Sequence, residues 1–472
     1  MKAKRLVVAA VLAACAVSAV AADDEPGTVK VAWFDKVISP EIGVEICGYD
    51  AHQVSVQKQS DLHAVGCAVD DGERRTLIVS CDLLGLDGEY LAKMRARLAK
   101  ILGAGPEAVM ISCTHTHGGP ETYWQPPWED RTTLNEPYLA KLGDTLAAAL
   151  EESMRNWRAC RVAYYSMTLD ENRNRRYVTG DNRASFTPHR KEMERLAAAD
   201  RFADKELGVL MFVDTASGSD APAYLIGNYA AHPLASHAPG LGGLRISADY
   251  PGHFRDYVES ETGCKAMFVS GACGDLVPKG DEMGSDAARQ VGVSLAKGEL
   301  AAIIDARRNP ERFFFKSPKT GAESKTFRSR LRGKFRRKLY GPNKDADEIE
   351  MEAQVIAVGD VCFVGVPGEL TCELGQEIKW HSPFRRAWIG YMATGCWEYQ
   401  SEPNALVAGG YEPAWQLFTA RFGLKLVSAA EDAMFALRER LYPGDSAPGD
   451  PYPDNLFHRR VNIPDGKKPG AY

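Results

Sequence analysis

The stretch "TLIVSCDLLGLDGEYLAKMRARLAKILGAGPEAVMISC", Thr76 to Cys113, decides the fold of this chain. Its first run, "TLIVSCDLL", is continuously apolar, which is typical of a buried strand. The next run, "EYLAKMRARLAKIL", has apolar residues three and four apart, and Gly103 and Gly105 follow it, so it predicts a helix that ends there. "AVMISC" from Ala108 predicts the next strand. Together these runs predict a β-α-β unit.

The same alternation continues to the end of the chain. Strands are predicted in "GVLMFVDT" from Gly208, "YLIGNYAAHP" from Tyr224, "KAMFVSGACGD" from Lys265, "QVIAVGDVCFVGVPGE" from Gln354 and "AWIGYMAT" from Ala387. Helices are predicted from Tyr138 to Trp157 and from Lys425. We therefore expect an α/β fold with a mixed sheet, flanking helices and a site at the strand ends, in one domain over residues 23–472.

The composition is that of an ordinary globular protein. The chain has 472 residues, of which 45% are hydrophobic and 25% charged, and its formal net charge is −6. This charge gives no reason to expect nucleic acid or an anionic membrane surface as a partner. After the N-terminus, no segment is apolar for long enough to span a bilayer. The oligomeric state is left open by the sequence.

The first residues predict an export signal over residues 1–22. A basic start is followed by "LVVAAVLAACAVSAVAA", which ends in small residues suitable for cleavage, and the acidic "DDEP" comes next. "LAAC" also resembles a lipobox, in which case Cys15 becomes lipidated and attaches the protein to a membrane. Either way we expect an extracytoplasmic protein, periplasmic or secreted.

A strongly basic segment runs from Lys325 to Lys338, "KTFRSRLRGKFRRK", and the acidic "DADEIEME" follows from Asp345. We interpret it as a solvated excursion whose two halves offset each other's charge. A contact with phosphate or anionic lipid is the alternative.

His115 and His117 stand one residue apart in a chain that has only ten histidines. Residues two apart on a strand face the same way, and the Gly-Gly-Pro that follows ends any strand and bends the backbone. Both imidazoles can therefore face one pocket at a strand end, as in a metal or catalytic site. A turn with two exposed histidines is the alternative.

Four predicted strand ends carry such metal-capable or polar side chains. They are His115 and His117 in "THTHGGP", His232 in "NYAAHPLASH", Glu369 in "VGVPGELTCELG" and Tyr391 in "IGYMAT". Sites of α/β sheets are built at the carboxyl ends of strands. A carboxylate directly after a buried strand needs a partner or a metal. Two histidines, a carboxylate and a further oxygen suit zinc.

Each of these residues also has a purely structural interpretation. A histidine at a strand end is usually a hydrogen-bonded structural residue. Glu369 can cap the helix predicted in "ELTCELGQEIKW", and Tyr391 can be a core residue with a satisfied hydroxyl. Because none of these residues belongs to a compact motif such as H-E-x-x-H, spacing alone leaves both interpretations open.

The ordered set of blocks resembles the neutral (non-lysosomal) ceramidase family. "THTHGGP" is similar to its T-H-T-H-S-G-P signature, and "VPGELT" to V-P-G-E-F-T. "NYAAHPLASH…ISADYPG", "FVSGACGDLVP" and "GYMAT…GGYE" follow in the family's order. The resemblance runs from "GYDAHQVSVQKQSDLHA" to "GGYEPA", which is most of the chain after the signal.

This resemblance implies a metal site and catalytic residues. The implied zinc ligands are His115, His232, Glu369 and Tyr391. The implied catalytic residues are His117, which binds or polarises the substrate, Arg175 in "NRNRRY", and Tyr391. Asp249 in "SADYPG" and Asp275 in "GACGD" are expected to support the site.

The sequence also departs from the family pattern. The family's G-D-x-S-P-N reads "GDLVPK" here, with Val277 in place of a serine tied to substrate handling and Lys279 in place of the asparagine. Valine cannot form that hydrogen bond. Gly118 replaces the serine of the signature. The family's C-terminal immunoglobulin-like domain is expected to be absent.

We therefore expect an exported zinc hydrolase that cleaves an N-acyl amide bond with a metal-activated water. The expected substrate is a small N-acyl amide or a lipid-like molecule. The alternatives are a zinc esterase that uses the same site, and a non-catalytic ligand-binding protein with this fold.

Overall fold

The structure is a computed structural model. It describes residues 27–49, 53–123, 134–178, 184–186, 202–236, 244–279, 284–336, 339, 343 and 345–444. The predicted export signal, with Cys15, lies outside the described residues.

The strands alternate with helices along much of the chain. The strands are β1 (Thr28–Val37), β2 (Ser55–Lys58), β3 (His63–Asp70), β4 (Arg75–Cys81), β5 (Val109–Cys113), β6 (Arg158–Thr168), β7 (Asn172–Asn174), β8 (Arg176–Val178), β9 (Ala184–Phe186), β10 (Glu206–Asp214), β11 (Tyr224–Tyr229), β12 (Leu244–Ile246), β13 (Lys265–Ser270), β14 (Leu276–Pro278), β15 (Thr320–Arg330), β16 (Glu348–Val358), β17 (Val361–Gly365), β18 (Glu369–Leu370), β19 (Arg386–Gly390) and β20 (Tyr399–Gln400).

The helices differ widely in length. They are α1 (Gly88–Leu102), α2 (Glu136–Ser153), α3 (Asp249–Thr262), α4 (Ser285–Arg308), α5 (Pro310–Phe313), α6 (Cys372–Trp380), α7 (Pro403–Ala408), α8 (Tyr411–Trp415) and α9 (Phe422–Leu441). Among the described residues, none of these helices combines the length and the apolar character that crossing a bilayer requires.

Two sheets form the centre of the molecule. The larger has eight strands in the order β13-β11-β10-β6-β1-β3-β4-β5 and is mixed, since β4 runs parallel to β5 and β11 parallel to β13. The smaller has four strands in the order β15-β16-β17-β19, with β17 and β19 parallel. The predicted mixed α/β fold with flanking helices is confirmed.

Strands such as β10 read as continuous apolar runs because they are buried on both faces. Leu207, Val209 and Met211 point to a core shared with α3 and α4. The alternate residues, Leu210 and Phe212, point to a second core shared with the four-stranded sheet. The layers are therefore helix, sheet, sheet, helix, with α9 packed on β15 and β16 at the far side.

The opening β-α-β unit forms as the sequence predicts. The side chain of Asp87 accepts hydrogen bonds from the backbone N–H groups of Glu89 and Tyr90, which caps the start of α1. Gly103 ends the helix in the left-handed conformation with φ 75°. One predicted strand needs correction, because the run from Gln354 is a hairpin: it turns at Gly359, whose φ of 63° favours glycine, into β16 and β17.

The large sheet curls until its two edge strands, β5 and β13, approach each other. The Ser80 hydroxyl donates a hydrogen bond to the Phe268 carbonyl at 2.5 Å, and Ser270 donates to the Thr114 carbonyl at 2.8 Å. The backbone N–H of Tyr391, just after β19, donates to the carbonyl of Ser270 at 3.1 Å. The carboxyl ends of strands from both sheets thus meet in one place.

The basic segment pairs with the acidic one within the four-stranded sheet, but it is not a solvated excursion, because Leu331 and Phe335 are buried in the core. β15 and β16 are antiparallel, and their register places Arg328 opposite Glu350 and Arg330 opposite Glu348. Opposite charges on cross-strand neighbours stabilise the pair. This arrangement offsets the positive charge of Arg328 and Arg330.

Candidate metal centre

Three β-α-β units bring the predicted site residues together. His115 follows β5, His232 follows β11, and Glu369 and Tyr391 follow β17 and β19. All four side chains are buried. His115 has φ 67°, a left-handed conformation that costs free energy in a non-glycine residue and is found preferentially at functional sites.

The two buried histidines, His115 and His232, face each other through their Nε2 atoms. Nδ1 of His115 lies 2.8 Å from the Leu84 carbonyl, and Nδ1 of His232 lies 3.1 Å from the Cys273 carbonyl. A carbonyl oxygen only accepts, so both Nδ1 atoms donate. In the neutral imidazoles the Nε2 atoms then carry lone pairs, and these atoms lie 3.1 Å apart.

His232 is held in its neutral form. Burial is the main cause that keeps the pKa of this imidazole well below its usual value, and the neighbouring His115, Arg175 and His117 lower it further. Its lone pair is therefore available as a ligand.

Glu369 completes the cluster. Its Oε2 lies 3.2 Å from Nε2 of His115 and 3.8 Å from Nε2 of His232. The carboxylate does not cap α6, since the N-cap residue is Thr371. The structural interpretation of Glu369 as a helix cap is therefore wrong. Three lone-pair donors converge, and their mutual repulsion calls for a cation or a shared proton between them.

The spacing of these atoms fits a metal ion. A tetrahedral zinc ion with ligand distances of about 2.0–2.2 Å keeps its ligand atoms roughly 3.3–3.6 Å apart. The three measured separations, 3.1, 3.2 and 3.8 Å, bracket that range. The Nδ1–H···O=C bonds also fix the ring orientations, as bonds outside a metal's ligand shell commonly do.

His117 lies beside the pair. Ligand atoms of His115, His117 and His232 all lie within 4.8 Å of one another, so these three histidines can hold a metal ion. The His117 residue is partly exposed, but both ring nitrogens are buried. A Cβ at Gly48 would lie 2.5 Å from its Nδ1, so that position must be glycine for the ring to fit. The alternative of two exposed histidines in a turn is wrong.

Tyr391 lies against His115, with their ring centroids 5.2 Å apart. Its buried hydroxyl makes no hydrogen bond to oxygen or nitrogen of the described residues. The Cys273 thiol, a weak hydrogen-bond partner, is one of its polar neighbours. Burial is the main cause that raises the pKa of this phenol well above its usual value. The hydroxyl is thus protonated and lacks a strong partner, unlike a satisfied core tyrosine.

Arg175 is buried beside this cluster and is held by several groups. Its Nε donates to Glu412 Oε1 at 2.8 Å, and its Nη2 donates to the Gly274 carbonyl at 2.7 Å and the Tyr399 hydroxyl at 3.0 Å. Arg176 donates to the other carboxylate oxygen of Glu412 at 2.7 Å. Sequence reasoning missed Glu412, although it stands in the "GGYE" block.

Asp249 and Asp275 fix the backbone around the site. Asp249 accepts from the backbone N–H groups of Ser236, at 2.6 Å, and Tyr250, at 2.7 Å. Asp275 accepts from the backbone N–H of Cys372 and the side-chain amide of Asn174, both at 2.7 Å. These bonds tie the segments after His232 and Glu369 to their neighbours.

The departures from the family pattern have different structural settings. Gly118 bridges to Ser247, and a Cβ there would lie 2.3 Å from the Ser247 carbonyl oxygen, so the signature serine does not fit this backbone. Val277 is half-buried on β14, opposite Arg173 of β7. Lys279 is exposed and forms an ion pair with Asp170.

Glu398 also belongs to this region, and sequence reasoning missed it. Its carbonyl accepts from the Glu369 backbone N–H at 2.9 Å. The side chain is buried, and burial together with the charge of Glu369 raises the pKa of the Glu398 carboxyl well above its usual value. The one signal in the sequence was a glutamate beside the tyrosine of "WEYQ", which is too common to predict a site.

Comparison with solved structures supports the resemblance at the level of the fold. The chain is similar to the crystal structure of neutral ceramidase from Pseudomonas aeruginosa, with a TM-score of 0.70 and 18% sequence identity over 88% of this chain and 75% of that one. A ceramidase complexed with C2 matches with a TM-score of 0.69 and 18% identity, over 88% and 76% of the two chains. No family model matches the sequence, and no curated protein matches it. The chain therefore has a ceramidase-like fold.

Proposed function

We propose that this protein is an exported zinc-dependent hydrolase that cleaves N-acyl amides, including lipid-like ones. The observation that carries the proposal is the convergence of His115 Nε2, His232 Nε2 and Glu369 Oε2 in a buried cluster. The ceramidase-like fold supports amide hydrolysis, and the N-terminal sequence supports export.

The proposed zinc ligands are His115, His232, Glu369 and Tyr391. The first three supply two imidazole nitrogens and one carboxylate oxygen, a donor set that zinc accepts. Tyr391 supplies the further oxygen, and its hydroxyl is buried without an oxygen or nitrogen partner in the described residues. When bound, zinc lowers the pKa of a coordinated water and polarises a carbonyl oxygen.

The other proposed roles belong to side chains around this centre. A leaving amine needs a proton, and His117 is the donor that we propose, because its ring lies 5.2 Å from the rings of both His115 and His232. The protonated Tyr391 hydroxyl can donate to the oxygen on which charge develops. Arg175, held by Glu412 and Tyr399, orients the substrate.

A single set of measurements tests this function. Metal analysis of the purified protein should find about one zinc per chain, and a panel of N-acyl amides and esters should show amide turnover. Glu369→Gln should abolish turnover while circular dichroism shows a folded protein. Turnover of esters alone would favour the esterase alternative. A zinc-free, folded protein that turns over neither class would favour the ligand-binding alternative.

A further inference from the structure

The Glu398 side chain is buried, but one of its carboxyl oxygens has no hydrogen-bond partner among the described residues. It is 7% exposed, and its Oε1 makes no hydrogen bond to any described residue. Its backbone has φ 54°, a left-handed conformation that a long side chain rarely adopts. Buried polar atoms are nearly always hydrogen-bonded, so an exception calls for an explanation such as a ligand.

The position of Glu398 places this side chain at the candidate metal centre. The backbone carbonyl of Glu398 accepts a hydrogen bond from the backbone N–H of Glu369 at 2.9 Å. The next residue, Tyr399, pairs with Glu369 in the parallel β18–β20 register. The Tyr399 hydroxyl accepts from Arg175 at 3.0 Å. The Glu398 carboxyl also interacts electrostatically with both Glu369 and Tyr411.

Glu299 is a buried glutamate remote from the candidate metal centre, and it serves as a comparison for Glu398. Both of its carboxylate oxygens lack a hydrogen-bond partner among the described residues. It lies in α4, where its Oε1 would be 2.3 Å from a Cβ at Gly227, and Phe254 packs beside the same glycine. Glu299 thus faces an apolar core with helical backbone, whereas Glu398 has a strained backbone and polar neighbours of the site.

We infer that Glu398 binds a hydrogen-bond donor, a hydroxyl or an ammonium group, on the amine part of the substrate. The inference rests on the proposed amide hydrolysis. The acyl part of a lipid-like amide consists of hydrocarbon and a carbonyl, neither of which donates a hydrogen bond, whereas the amine part can carry the donor that Oε1 lacks. Glu398 is then a specificity residue that selects amides by their polar amine.

Three amides with the same acyl chain test this inference. The amines are ethanolamine, ethylenediamine and propylamine, so the chains have equal length and end in a hydroxyl, an amine or a methyl group. For the unmodified protein, kcat/KM should be roughly tenfold or more higher for one of the polar amides than for the propylamide. In Glu398→Leu this ratio should fall towards one.

Two further variants separate specificity from stability. Glu398→Gln keeps an acceptor and should keep part of the preference, and it replaces Glu398→Leu if the latter does not fold. Glu299→Leu removes a buried glutamate remote from the site and should leave the ratio unchanged. An unchanged ratio in folded Glu398→Leu, or an equal fall in Glu299→Leu, would overturn the inference.

Equilibrium binding of the same three amides is measured beside turnover. If the unmodified protein hydrolyses none of them, the proposed function is wrong for these amides. The binding ratio between polar amide and propylamide then still decides the role of Glu398. Equal binding of the polar amides and the propylamide by the unmodified protein would refute it independently.

Discussion

The guanidinium of Arg175 donates to the carboxylate of Glu412 at 2.8 Å, and Arg176 donates to the same carboxylate at 2.7 Å. All three side chains are at most 3% exposed. One carboxylate therefore pairs with two buried guanidinium groups, one of which lies beside the candidate metal centre. Removing one partner of a buried ion pair leaves an uncompensated charge, which is far costlier than the loss of a surface pair.

We predict that Glu412→Gln lowers the free energy of unfolding by about 3–5 kcal/mol, because two buried arginines lose their counter-ion. It should also lower kcat/KM for any amide substrate, since Arg175 loses the partner that orients it. Chemical denaturation and steady-state kinetics measure the two effects. Glu89→Gln, in an exposed pair with Lys93, is the control and should change neither quantity. A fully active, fully stable Glu412→Gln protein would contradict this account.

Metal content should depend on both buried histidines. His115→Ala or His232→Ala removes one of two imidazoles whose Nε2 atoms face each other at 3.1 Å, so each variant should lose the zinc that we propose for the unmodified protein. Elemental analysis after dialysis measures this loss. His381→Ala, on a partly exposed histidine paired with Glu431, is the matched control and should retain the metal. An unchanged zinc content in both site variants would contradict the proposed ligand set.

Substrate preference should reflect Val277. Val277 stands where the resemblance implies a serine that contacts the substrate, and valine cannot form that hydrogen bond. The loss of such a polar contact costs about 1–3 kcal/mol, or roughly ten- to a hundredfold in relative rate. The unmodified protein should therefore hydrolyse ceramide less efficiently than a simpler N-acyl amide, and Val277→Ser should shift the ratio towards ceramide. Val37→Ser, at an exposed site on β1, serves as the control. Ceramide turnover that equals or exceeds that of the simpler amide would show that Val277 does not set the preference.

Stability should depend on pH through Glu299. Burial raises the pKa of this carboxyl well above its usual value. As the pH rises past the ordinary glutamate range, Glu299 therefore loses its proton in the unfolded chain while it keeps the proton in the native state. The free energy of unfolding falls until the pH reaches the pKa of Glu299 in the native state. Glu299→Met should stabilise the protein by about 1–3 kcal/mol at pH 8 and by less at pH 5. Denaturation at both pH values measures this, and exposed Glu261→Met should show no such difference.

The native N-terminus should be processed. Mass spectrometry of the exported protein should find a terminus near Ala22 or Asp23, or a lipidated Cys15 if the lipobox is used. Fractionation should find the protein outside the cytoplasm. An intact Met1 on exported protein would be incompatible with both forms of processing.

The alternation of strands and helices, and the residues at the strand ends, could be predicted from the sequence. Burial on both faces of a strand leaves a continuous apolar run, as in β4 and β10, and a helix with one buried face leaves the spacing seen in α1. These patterns involve only residues close together in the chain, so they can be recognised in one amino-acid sequence. His115, His232, Glu369 and Tyr391 were visible because each interrupts such a run where it ends.

Only the tertiary structure decided which of these strand ends meet. The curl of the large sheet brings β5 to β13, and the ends of β17 and β19 from the second sheet join them. This depends on packing between residues more than a hundred positions apart, which no local pattern encodes. The same long-range packing selects the ring nitrogens that face each other in His115 and His232, pairs Arg175 with Glu412, and leaves no room for a side chain at Gly118.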